Sequence, residues 1–205
     1  MSTRARVVRE KEIIRELTKA QLERMLHTPG YKDRIREKLG DSVDLLTYQR
    51  PVLAALVLAE SMGHVLFEAG RQTGIGLTEG GMPMLQKLPG YRDFAEAENL
   101  KEARLSTGYS ALQTGFKSTG TGLLTLTEFE KGKLLVYQVE ECADCCGIMD
   151  IGVSICYFTG GVIAGALEHS LGRKVGFVES KCTAKGDSCC EFRYNLEMTG
   201  HEWEH

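Results

Sequence analysis

Cysteine is absent from the first 141 residues of this chain, and all seven cysteines lie between Cys142 and Cys190. A secreted disulfide scaffold is shorter and spreads its cysteines along the chain, so this clustering points instead to metal ligation or thiol chemistry. Long apolar runs are missing too. Nowhere do about 18 uncharged apolar residues follow one another, so no transmembrane helix is readable and no membrane partner is expected. The opening Met1-Ser2-Thr3-Arg4-Ala5-Arg6 lacks the apolar stretch of a secretory signal, which makes the expected location cytoplasmic. The sequence also shows no nicotinamide or flavin fingerprint and no Ser-His-Asp or Cys-His arrangement anchored by spacing. Net charge is only −3, but it is uneven: residues 1–40 carry +5 and the remainder −8. The basic start has no aromatics placed to stack on bases, so it reads as a solvated helix face rather than a nucleic-acid surface.

The chain has 205 residues, which fits one substantial domain or one domain with an extension, and its 42% apolar and 26% charged content is ordinary for a globular protein. Residues 9–27 carry a broad apolar arc that Pro29-Gly30 stops, which predicts a helix. A second helix is expected over about 51–69, apolar around most of its circumference and therefore buried. The glycine-rich stretch Gly70–Gly81 then reads as a helix C-cap and loop. It is not a phosphate loop, because no strand precedes it and no Gly-Lys-Ser/Thr ends it. Residues 93–116 are predicted helical. Leu123–Phe129 and Lys133–Glu140, joined by Glu130-Lys131-Gly132, form a predicted hairpin. A glycine-flanked helix follows at about 160–171, and Lys174–Ser180 and Cys190–Leu196 read as strands. Helices followed by β-β-α-β-β predict an α+β fold with an antiparallel sheet.

The cysteine-rich tail holds the clearest chemistry. Glu179 and Cys182 end one strand, Cys190 begins the next, and Gly186-Asp187 turns the chain between them. Cys156 lies one helix earlier, at the entrance to Gly160-Gly161. Three thiolates and a carboxylate suit four-coordinate Zn²⁺, and with no position left open the ion would be structural. Against this stands the plainer reading of four buried, inert residues, since free cysteine is commonly a small core hydrophobe.

The segments Cys156-Tyr-Phe-Thr-Gly160-Gly161-Val-Ile-Ala-Gly165-Ala-Leu-Glu and Val178-Glu179-Ser-Lys-Cys182-Thr-Ala-Lys-Gly186-Asp187-Ser-Cys189-Cys190-Glu-Phe192 resemble the 4-vinyl reductase (4VR), or hydrocarbon-binding, domain. The family occurs in archaeal stand-alone proteins, in a bacteriochlorophyll-biosynthesis protein and as the sensor of phenol- and xylene-responsive activators. Its fold is shared with Golgi-transport (TRAPP) subunits. In the aromatic sensors a C-x22-E-x2-C-x7-C set binds zinc, and Cys156, Glu179, Cys182 and Cys190 reproduce those intervals. The match covers about residues 120–196. It implies a TRAPP-like fold with a zinc-stapled C-terminal hairpin, a binding domain expected over 41–198, and a homodimer; residues 1–40 lie outside the resemblance and are read from their charge as a basic helical extension. This sequence departs from the family in pairing Cys189 with Cys190, which leaves open which of the two ligates.

Cys142-Ala-Asp-Cys145-Cys146 is a second thiol cluster. It is open to several roles: a redox pair, a second metal, an iron–sulfur cluster shared across a dimer, or a cysteine-rich loop with no separate task. No second pair of ligands stands at standard metal spacing elsewhere. Phe67, Tyr109, Phe116, Tyr137, Tyr157 and Phe177 lie on elements expected to face one another, and two or three of them are expected to line a pocket. His64, one turn before Phe67, reads either as a polar anchor for a ligand or as a satisfied core histidine.

Three functions follow. The leading one is a zinc-containing sensor that encloses a small hydrophobic or aromatic ligand and signals to a protein partner. The second is a redox or reductase-type protein using Cys142, Cys145 and Cys146. The third is an interaction subunit with a filled core.

Overall fold

A computed structural model describes Gln49, residues 62–148 and residues 151–198. The expected helix at 9–27 and most of that at 51–69 lie outside the described residues. Besides helical Gln49 and a 3-10 turn, the described residues form four α-helices and four strands: α1 (Met62–Leu85), α2 (Leu100–Arg104), α3 (Thr107–Ser118), β1 (Leu123–Glu130), β2 (Leu134–Glu140), α4 (Tyr157–Leu171), β3 (Gly176–Lys181) and β4 (Cys190–Asn195). The strands form one antiparallel sheet in the order β1-β2-β4-β3, with α4 crossing from β2 to β3. The α+β reading holds.

Strand alternation puts the core on one face of that sheet. The register sets Leu126 against Tyr137, Tyr137 against Phe192, and Phe177 against Tyr194, so these buried side chains share a side. Tyr194 OH donates to the Gly160 carbonyl at 2.9 Å, fixing α4 over this face. The opposite face carries Gln138, Glu191 and Arg193.

Three sequence expectations fail in the helices. The glycine-rich stretch Gly70–Gly81 is not a loop: α1 runs unbroken through it for 24 residues. The reason lies across the helix pair. A Cβ at Gly70 would stand 2.2 Å from the Phe158 carbonyl oxygen, and one at Gly74 would stand 2.1 Å from that of Val162. Reciprocally, a Cβ at Gly161 or Gly165 would stand 2.1 or 2.0 Å from the carbonyl oxygens of Phe67 and Arg71. Glycines at four-residue spacing on both helices let the backbones touch, and the packing offsets poor helix propensity. Nor is the described part of α1 buried all round: Val65 is 50% and Leu77 67% exposed.

The helical region expected at 93–116 is divided into two helices and begins only at Leu100. Asn99 Oδ1 accepts from Glu102 N to start α2, and Ser106 Oγ accepts from Tyr109 N to start α3. Leu105, which the apolar period counted, is the half-exposed C-cap of α2. Two caps within eight residues override the periodicity.

A buried ion pair locks α1 to α4. Arg71 donates to Glu168 at 2.7 Å and to Glu68 at 2.6 Å, while Glu168 also accepts from Val175 N at the entry to β3.

Candidate metal centre and cavity

The cysteines converge where α4 begins. Cys156 is its N-cap and Glu179 lies on the core face of β3. Cys190 opens β4 with its side chain on the same face. Residues three apart on a regular strand point to opposite sides, but a bulge between Glu179 and Lys181 takes up one residue and returns Cys182 to the side of Glu179. A 3-10 turn over Thr183–Lys185 and left-handed Gly186 (φ 93°) close the connection. Asp187 Oδ2 ties it shut by accepting from Cys182 N at 2.9 Å.

The structure brings together Cys156, Glu179, Cys182 and Cys190, whose ligand atoms all lie within 4.8 Å of one another. Cys190 is fully buried in this group, whereas Cys189 is half-buried and outside it. Glu179 Oε2 accepts from Cys156 N at 3.1 Å, but its buried Oε1 has no hydrogen-bond partner. Burial, and then the nearby Cys182 and Cys190, push the Glu179 carboxyl well above the usual carboxylate range. An orphaned carboxylate oxygen among three thiols fits a thiophilic cation, which would reverse that penalty.

The second thiol cluster is not a separate loop. Cys142 and Cys145 form another close set with Cys156 and Cys190, while Cys146 stands outside both sets. Hydrogen bonds among the sulfurs shape their acidity. At Cys190 the contact from Cys142 raises the pKa, but Cys145, Cys156 and Cys182 outweigh it and bring the thiol down to about 5. Hydrogen bonds from Cys145 and Cys156 bring Cys182 down to about 7. Burial and the neighbouring thiols push Cys156 up. Sequence reading also missed Asp144. It is fully buried, and its Oδ2 accepts from Thr159 N at 3.0 Å, capping α4 from the cysteine loop. Only its place between two cysteines hinted at a role.

Along the rest of α4 lies a cavity of about 590 Å³ walled by α1, α3 and α4, with Tyr137 of β2 at its side. Of the aromatics singled out in the sequence, Tyr109, Phe116 and Tyr137 line it. Phe67 and Phe177 do not; they pack on each other with ring centroids 4.7 Å apart. Tyr157 is half-buried beside Gly63, outside the lining. His64 is exposed and likewise outside the lining, so it is not a core histidine. The sequence did not point to Leu77, Met82, Met84 and Leu85 of α1, which also wall the cavity. Leu77 and Met84 are 67% and 73% exposed, so the cavity opens to solvent beside them.

An antiparallel sheet covered on one face by helices, with a thiol cluster near its C-terminal hairpin, is the α+β, TRAPP-like architecture expected from the motif. Comparison with known proteins agrees: residues 135–196 match the V4R domain. An uncharacterized protein of Methanocaldococcus jannaschii is 25% identical over 190 residues, covering 92% of this chain and 94% of its own. A second from the same organism is 40% identical over 88 residues, and there this chain spans 46% of the relative's length. Among solved structures, the phenol-responsive sensory domain of the transcription activator PoxR, crystallised with phenol, superposes with a TM-score of 0.54. It is 16% identical, over 73% of this chain and 71% of that one. Trafficking protein particle complex subunit 3 from Naegleria fowleri, covalently bound to palmitic acid, gives 0.56 at 21% identity, over 77% and 95%. At these identities the two structures speak for the fold. Among the described residues no helix is long and apolar enough to cross a membrane.

Proposed function

We propose that this protein is a small-molecule sensor whose ligand, hydrophobic or aromatic, occupies the cavity between α1, α3 and α4. The cavity carries this reading. Its volume of about 590 Å³ lies in the range of sites for drug-sized molecules, and its walls are mostly apolar with a few hydroxyls. Such a lining supplies affinity through buried apolar area, with Tyr109, Thr73 or Ser170 as polar anchors. An interaction subunit with a filled core has no use for this space. The phenol and palmitic acid held by the two structural neighbours suggest the probes.

In this reading Zn²⁺ sits on Cys156, Glu179, Cys182 and Cys190 and cross-links the start of α4 to the β3–β4 connection. It supplies no reaction: with four protein donors it has no open position. Residues 41–198 form the binding domain. Residues 1–40, with their +5 charge, serve the homodimer or an unidentified protein partner.

Calorimetry and thermal-shift assays with phenol and with palmitate test the cavity. At least one probe should bind at one site per chain and raise Tm, and Ala166→Phe, which fills the cavity from α4, should abolish both effects. No binding by either probe, or binding untouched by Ala166→Phe, would overturn the proposal. Elemental analysis of protein purified without chelator should find zinc in the wild type. Cys182→Ser should contain less zinc and have a lower Tm.

A further inference from the structure

Two overlapping sets of four donors meet at the N-terminus of α4. Cys156 and Cys190 belong to both; Cys142 and Cys145 complete one, and Glu179 and Cys182 complete the other. A single tetrahedral ion uses four of these six residues and leaves two buried ligands idle beside it. We infer that the centre holds two Zn²⁺ ions bridged by the thiolates of Cys156 and Cys190. One ion is bound by Cys142, Cys145, Cys156 and Cys190, the other by Cys156, Glu179, Cys182 and Cys190. The inference rests on the zinc reading above and adds a second ion to it.

Sulfur spacing supports the assembly. Two sulfurs bound at about 2.3 Å to one tetrahedral zinc stand about 3.8 Å apart. Cys156 Sγ lies 3.6 Å from Cys142, 3.7 Å from Cys182 and 3.6 Å from Cys190. Cys145 and Cys190 are 3.2 Å apart. All of these exceed the roughly 2.05 Å of a disulfide, and none of the seven cysteines forms one. The Cys156–Cys190 contact is the edge that both tetrahedra share.

Charge and local structure agree. Five thiolates and a carboxylate bring six negative charges into a buried site; one divalent ion offsets two of them and a pair offsets four. Each thiol that becomes a ligand releases its proton to solvent, so binding needs no other reactant. The loop is built to present its pair. Cys145 N and Cys146 N both donate to the Cys142 carbonyl, at 3.2 and 2.7 Å, folding Cys142 and Cys145 onto one side. Gln49 Nε2 holds that turn through the carbonyls of Ala143 and Cys146, each at 2.9 Å, and Asp144 ties it to α4. Linear spacing hid this second site because half of its ligands belong to the first.

Native mass spectrometry with elemental analysis of the full chain, purified with zinc and without chelator, decides the matter. We expect two zinc ions per chain in the wild type and one in Cys142→Ser/Cys145→Ser. A Co²⁺ titration of the metal-free wild type supplies the bridging test, and it stands even if the double variant fails to fold. Sulfur-to-cobalt absorbance should grow to two equivalents. The high-spin Co²⁺ electron paramagnetic resonance signal should rise with the first and fall with the second, as the bridged ions couple. One zinc per chain, lost in Cys182→Ser but kept in the double variant, overturns the second ion and leaves the single site standing. A resonance signal that grows steadily through two equivalents overturns the bridge. No zinc in the wild type, or iron with inorganic sulfide instead, overturns both readings.

Discussion

Glycine has opposite meanings at different positions of α1, and the structure separates them. At Gly70 and Gly74 the α4 backbone occupies the space a side chain would need, whereas nothing lies within 4 Å of a Cβ built at Gly76 or Gly80. Gly74→Ala should therefore force the helices apart and cost at least about 2 kcal/mol. Gly76→Ala meets open space in an ordinary helical conformation, so it should add about 0.5–1 kcal/mol by lowering the entropy of the unfolded chain. Thermal denaturation of the two variants should move Tm in opposite directions; a shared sign would show that α1 and α4 are not in backbone contact. The sequence carries both kinds of glycine in one run, and nothing local distinguishes them. For that reason Gly70–Gly81 reads as a loop when the chain is considered alone, and only the partner helix, about ninety residues away in sequence, reveals a continuous helix.

Strands were more legible than helices, for a physical reason. Runs rich in leucine, threonine and valine, broken by Glu130-Lys131-Gly132, mark β1 and β2 from composition and turn chemistry alone, although only β1 alternates in burial along its first half and Val136 is buried on the outward face. The helices depend on caps and on contacts between distant segments, which periodicity does not report. The convergence of Cys156, Glu179, Cys182 and Cys190 was visible in their intervals, but the β3 bulge that lets Glu179 and Cys182 face the same way was not. The outward face of β4 carries its own test. Burial opposes ionisation of Glu191, but hydrogen bonds from Lys181, Gln138 and Ser180 outweigh it and hold the carboxyl at about 2. A folded pKa below the unfolded value of about 4.3 stabilises the protein above that pH, and the benefit is lost as pH falls through the folded pKa. With Lys181 half-exposed, the contribution is about 1 kcal/mol. Wild type should exceed Glu191→Gln in stability by that amount at pH 6, and denaturant titrations should show the gap closing between about pH 4 and 2. Any acid loss of the proposed zinc is common to both proteins, so the difference isolates Glu191. A gap that widens on acidification would contradict the hydrogen-bonded carboxylate.

At the scale of the molecule, α4 joins the two candidate sites. Its first residues take part in the thiol cluster through Cys156 and the Asp144 cap, and Phe158, Val162, Ala166, Leu167 and Ser170 further along it wall the cavity. The same helix is held against α1 by interlocked glycines and by the Arg71–Glu168 pair. On the zinc reading, metal at one end would fix the position of the cavity wall at the other. Linkage makes such coupling reciprocal: if zinc tightens ligand binding, the ligand must tighten zinc binding by the same factor. Removing zinc with a chelator should therefore weaken binding of whichever of phenol and palmitate occupies the cavity, by a factor of about 5 or more for coupling of about 1 kcal/mol. Saturating ligand should in turn slow zinc transfer to a chromophoric chelator. Both measurements use the same folded protein, whose integrity circular dichroism can follow after metal removal. Equal affinities with and without zinc in protein that remains folded would mean that the thiol cluster staples the hairpin without shaping the cavity, and signalling would then have to leave through α1 and α3 instead.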